Sequence, residues 1–201
     1  YLSVELLNAE WNQEWLKSVP HMRMFNFALV VRVGIWVEEN DGRATCTVTN
    51  KIMEKWGIGE KELFDSALIN FQKEEFELRP IGEVMNELQP NLLEDEQEDD
   101  DIRMYMLTNK QMWKGSVGMM RLDLLGKLAE KEQSDLYIFP SSIHECVLIP
   151  VNGVDMTLEE LQKMVQEINE SIVPEEERLD NVVYYYRRTP GKIEIAENLQ
   201  N

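Results

Sequence analysis

Apolar residues recur at helical spacing through the opening of the chain, at Leu2, Leu6, Leu7, Trp11, Trp15 and Leu16, until Pro20 ends the pattern. The spacing predicts a helix over residues 1–18. Two tryptophans on one short helix need a cover, and the chain opens on Tyr1 without a methionine, so this helix reads as the continuation of a removed upstream region. The period then changes. Residues 27–37, FALVVRVGIWV, are almost continuously apolar and rich in β-branched side chains, with Arg32 the one charge, which predicts a strand buried on both faces. Asp41-Gly42 supplies a tight turn, and residues 44–49 (ATCTVT) return as the second strand of a hairpin. Gly34 marks either a bulge or a close backbone approach.

After Gly59, the positions Leu63, Phe64, Ala67, Leu68 and Phe71 form one helical stripe, and a shorter helix over 81–88 stops at Pro90. Residues 94–101, EDEQEDDD, place seven carboxylates in eight positions; they repel one another and bury nothing, so the tract reads as a mobile loop. A strand follows at 103–109, then a helix at 118–130 with Leu122, Leu125 and Ala129 on one side. Two apolar strands, 135–139 and 145–150, flank the turn PSSIH, and Thr157 with Glu160 has capping-box spacing ahead of a helix. The end, VVYYYRR-TPG-KIEI, reads as a hairpin. About seven strands, hairpins and interspersed helices give an α+β class with a mixed, largely antiparallel sheet, as one domain over residues 19–201.

Composition narrows the function. With 20 Lys+Arg against 38 Asp+Glu the net charge is −18 over 201 residues, which opposes nucleic acid and favours a basic protein partner. There is no apolar run of membrane-spanning length. Cys46 and Cys146 lie a hundred residues apart in apolar stretches, as suits a reducing, cytoplasmic setting. Tyr184, Tyr185 and Tyr186 beside Arg187 and Arg188 could stack on bases, but a hairpin with its rings packed on the sheet is the stronger reading.

Candidate chemistry gathers at Ser141, Ser142, His144, Glu145 and Cys146. On a strand Ser142, His144 and Cys146 share a face, while Glu145 points away, so His144 and Glu145 do not share a metal; His21 is the only other histidine, and no metal or cofactor is expected. His144 and Cys146 are about 6.5–7 Å apart along a strand, too far for an easy thiol–imidazole pair, and Cys146 reads as a small buried hydrophobe. Asn109 and Lys110 end the preceding strand. If the two strands are neighbours, Asn109, Lys110, Ser142, His144 and Glu145 converge on one ligand-binding site.

The pieces WGIGEKELFDSAL, MYMLTNK, SDLYIFPSSIHECVLIP and VVYYYRRTPGKIEI, in that order, resemble the bacterial family called domain of unknown function 5688, of which this chain looks like the C-terminal two-thirds. The resemblance implies a cytoplasmic bacterial protein and no established activity. Two functions follow for the residues themselves: a non-catalytic protein-interaction or ligand-binding domain, which is favoured, or a hydrolase-like enzyme working through the Ser-Ser-Ile-His-Glu loop. They separate on whether His144 or Glu145 opens into a concave pocket beside another titratable group, or His144 is enclosed by backbone as a structural anchor.

Overall fold

A computed structural model describes residues 1–37, 42–88 and 103–196. The Asp41-Gly42 turn and the acidic tract 94–101 lie wholly or partly outside the described residues. The rest is α+β, with ten strands in two antiparallel sheets. Contacts divide the chain into two compact units, residues 1–75 and 76–201, where the sequence pattern predicts one domain.

In the first unit the expected helix over 1–18 is replaced by strand β1 (Leu2–Asn8) and a single-turn helix α1 (Gln13–Leu16). The reason is β3 (Phe27–Val37): its apolar faces and open edges recruit partners along its whole length. β1 pairs with it from Leu2↔Val33 to Asn8↔Phe27, β2 (His21–Met24) pairs with its first half, and β4 (Gly42–Thr47) pairs with its second. Alternation then sorts the side chains. Glu5, opposite Val30, is buried and holds Arg32 at 2.8 Å, which explains how a strand interior tolerates that arginine. Gly34 is no bulge; it pairs in register with Thr45, and its N–H donates to the Tyr1 carbonyl at 2.8 Å. Helix α2 (Asn50–Trp56), capped by the Thr49 hydroxyl, leads into α3 (Glu60–Phe71), which packs on β1 through the predicted stripe of Leu63, Phe64, Ala67 and Phe71.

The second unit begins with β5 (Phe76–Pro80) and α4 (Ile81–Leu88). It continues through β6 (Tyr105–Asn109), a 3-10 segment over 115–120, α5 (Leu122–Glu132), β7 (Leu136–Phe139), β8 (Cys146–Pro150), α6 (Leu158–Ser171), β9 (Tyr184–Arg187) and β10 (Lys192–Ile195). The sheet order is β10-β9-β7-β8-β6-β5, antiparallel throughout. One face carries Phe139, Ile149 and Tyr185 against Leu161 and Val165 of α6, whose Thr157–Glu160 capping box is formed. Tyr184 and Tyr186, adjacent on the strand, point to the other face, and all three tyrosines are buried.

Three tyrosine hydroxyls of this unit donate to carboxylates: Tyr105 to Glu132 at 2.6 Å, Tyr184 to Asp180 at 2.7 Å, and Tyr185 to Asp135 at 2.8 Å. Glu132, at the end of α5, also holds Arg103 at 2.6 Å, so it ties the helix to the edge of β6. Burial, with the Glu132 carboxylate next, pushes the Tyr105 hydroxyl up to about 12. Tyr105→Phe removes a charge-assisted hydrogen bond from a buried acceptor and is expected to cost about 1.5–3 kcal/mol in urea denaturation. A loss below about 0.5 kcal/mol would show that the pair does not hold α5 to the sheet.

Candidate functional site

β6 and β8 are neighbours, paired through Leu107↔Cys146, so the strand ends carrying the sequence candidates do meet. The segment entering β8 is held from both sides. On one side Ile143 N–H donates to the Glu177 carbonyl at 2.8 Å and Leu179 N–H to the Ser141 carbonyl at 2.9 Å, with Ser142 bridging Arg178. On the other, Gly115 N–H donates to the His144 carbonyl at 2.8 Å and the Ser116 hydroxyl to the Ile143 carbonyl at 2.8 Å.

Between these seams lies a solvent-open cleft of about 390 Å³. Ser142, His144, Glu145 and Glu177 are its polar lining, and Met112, Trp113, Ile172, Val173 and Pro174 are its apolar lining. The loop after β6 delivers Trp113. Asn109 clamps it, accepting the Trp113 N–H at 3.1 Å and donating from Nδ2 to the Trp113 carbonyl at 2.8 Å. Met112 and Lys114 on either side take left-handed backbone, with φ of 50° and 55°, a conformation that costs a non-glycine residue about 1 kcal/mol or more. The indole is thereby held 4.6 Å from the His144 ring, tilted by 43°, while 55% of the residue stays exposed.

His144 is oriented by main chain. Its Nδ1 accepts the Lys114 N–H at 3.1 Å, which leaves the ring proton on Nε2, and Nε2 faces the Glu177 carboxylate at 3.5 Å. The ring is thus held by one main-chain donor, from the loop after β6 and not from residues 140–143, and it lines a cleft beside Glu145 and Glu177. Ser142 Oγ accepts His144's own N–H at 2.9 Å, so the hydroxyl is engaged with main chain, and among the described residues no hydrogen bond joins it to the imidazole as a nucleophile–base pair requires.

Glu145 carries the strongest electrostatic signal of the cleft. Burial pushes its carboxyl above the usual range; the Ser142 hydroxyl pulls it back, and the like charge of Glu177 adds to the rise. Cys146, one residue on, is fully buried, its thiol donating to the Ser116 carbonyl at 3.3 Å and raised well above its ordinary value by burial. It is core.

Of the five sequence candidates, Ser142, His144 and Glu145 line the cleft. Asn109 sits behind it as the clamp on Trp113, and Lys110 is exposed and does not line it. Trp113, Ile172 and Glu177 were not legible as site residues. The available signals were a Met-Trp pair in a loop running into Gly115, and an Ile-Val-Pro step leaving α6 into three glutamates. Among the described residues no group of three or more His, Cys, Asp or Glu is placed to hold a metal ion, and no helix is long and apolar enough to cross a membrane.

The Glu145 shift fixes a pH dependence. A carboxyl raised in the folded state binds its proton more tightly there than in the unfolded chain. The stability it confers is complete below the ordinary carboxylate value and is lost as pH rises through the raised one. Glu145→Gln keeps a partner for Ser142 without the charge. It is expected to be about 1 kcal/mol more stable than the parent at pH 7 and nearly equal at pH 4, read by urea denaturation at both. A variant less stable at pH 7 would contradict the desolvated carboxylate.

Comparison with curated proteins and with solved structures returns no match. A family model matches residues 1–188, from one residue before β1 to one residue past β9, a span that does not bear out the two-thirds correspondence expected from the sequence. The chain belongs to the Family of unknown function (DUF5688).

Proposed function

We propose that the chain is a non-catalytic binding module whose cleft takes a cationic group carried on an apolar stem. The observation that carries this reading is Glu145, a desolvated carboxylate in the lining of an open cleft, with a second carboxylate, Glu177, close enough to raise it further. Burying a carboxylate is costly unless a proton or a cation compensates it. In the free protein the proton does so in part; a bound cation does so fully. The apolar lining of Trp113, Ile172 and Pro174 receives the stem, and the net charge of −18 draws cations toward the surface. Cytoplasmic residence fits the same reading, since both cysteines are free thiols.

Because ionised Glu145 is the binding form, affinity rises with pH through its titration and each binding event in that window releases a proton. Trp113 is the one tryptophan of residues 76–201, so its indole N–H resonance, identified through Trp113→Phe, reports on the cleft. Titration with butylguanidinium is expected to move that resonance saturably with affinity of about millimolar order, weakened about tenfold in Glu145→Gln. Butyrate is expected to leave it in place. An equal response to butyrate, or an affinity indifferent to Glu145→Gln, would refute the cationic site.

A further inference from the structure

We infer that the natural occupant of the cleft is an arginine side chain of a partner protein, its guanidinium against the Trp113 indole with its N–H groups toward Glu145 and Glu177, and an apolar neighbour of that arginine against Ile172. The inference rests on the binding reading above and names its partner class.

The shape of the site argues for a protein partner. Pockets for small ligands enclose most of the ligand's surface. This cleft is open, and its apolar lining stays in water: Trp113 is 55% exposed, Met112 46% and Ile172 74%. Exposed tryptophan and methionine around a polar centre is the composition of an interface core. Charge argues for a basic partner. The segment that supplies Glu177 also carries Glu175 and Glu176 in the same 3-10 turn, so negative charge extends from the cleft along the approach to it. Such a field steers a positively charged protein and repels an acidic one.

The chemistry of the lining selects arginine over lysine. A planar guanidinium stacks on an indole while its N–H fork engages carboxylates at its edge, whereas an ammonium is a compact, strongly hydrated point charge.

The full chain is titrated with acetyl-Leu-Arg-Leu-amide, its Lys and Glu counterparts, and butylguanidinium, all read on the Trp113 indole resonance. The arginine peptide is expected to bind about tenfold tighter than butylguanidinium and about threefold or more tighter than the lysine peptide, with no response to the glutamate peptide. Ile172→Ser, a substitution at an exposed position, is expected to weaken the arginine peptide about fivefold. If butylguanidinium binds and the arginine peptide binds no tighter, the cleft is a small-cation site and the protein partner is wrong while the cationic reading stands. Equal affinity for the arginine and lysine peptides overturns the choice of arginine. Failure of butylguanidinium itself overturns the cationic reading, and this inference with it.

Discussion

Residue 115 sits where two stretches of main chain come too close for any side chain. A Cβ there would lie 2.4 Å from Thr108 Oγ1, 2.5 Å from Asn109 N and 2.8 Å from the His144 carbonyl oxygen, distances that only glycine avoids. That approach lets Gly115 N–H and the Thr108 hydroxyl both donate to the His144 carbonyl at 2.8 Å. Ser116 then adds its hydroxyl and its N–H to the Ile143 carbonyl. The loop after β6 is thus stitched to the entrance of β8 through backbone, and the cleft stands on that seam.

Everything the cleft presents is referenced to this joint. Lys114, next to Gly115, offers the N–H that sets the His144 tautomer. Trp113, two residues before it, is clamped by Asn109 and held, tilted, beside the same imidazole. Opposite, pairing of residues 140–143 with 177–180 brings Glu177 to Nε2. Two left-handed residues and a desolvated carboxylate are kept in one small region, a concentration of local cost that the surrounding hydrogen bonds hold in place.

The sequence was informative where local pattern and burial agreed. The β-branched run of β3, the capping box of α6, the stripe of α3 and the final hairpin are each specified by neighbours in the chain. It misled at residues 1–18, where leucines at helical spacing also fit an alternating strand, and the demand of β3 for a partner decided between them. β5, with sequence FELRP, alternates for only five residues before a helix begins at Ile81, too short a pattern to stand alone, and it owes its state to pairing with β6. Within the site, Ser142, His144 and Glu145 were legible because a polar turn meeting an apolar strand is a local signal. Trp113 and Glu177 were not, because they reach His144 from about thirty residues away on either side, one through a ring contact and the other across 3.5 Å from carboxylate to Nε2, which no spacing encodes.

The most direct measurement is the proton NMR spectrum of Gly115→Ala. In the parent, the Trp113 ring 4.6 Å away should displace the His144 ring-proton resonances from their ordinary positions. If the 115 seam organises the cleft, the alanine variant retains the resonances of residues 1–75, while the His144 protons move to the positions of a free imidazole and residues 76–201 lose about 2 kcal/mol or more of stability. An alanine variant whose His144 resonances and stability match the parent would contradict the account at its centre.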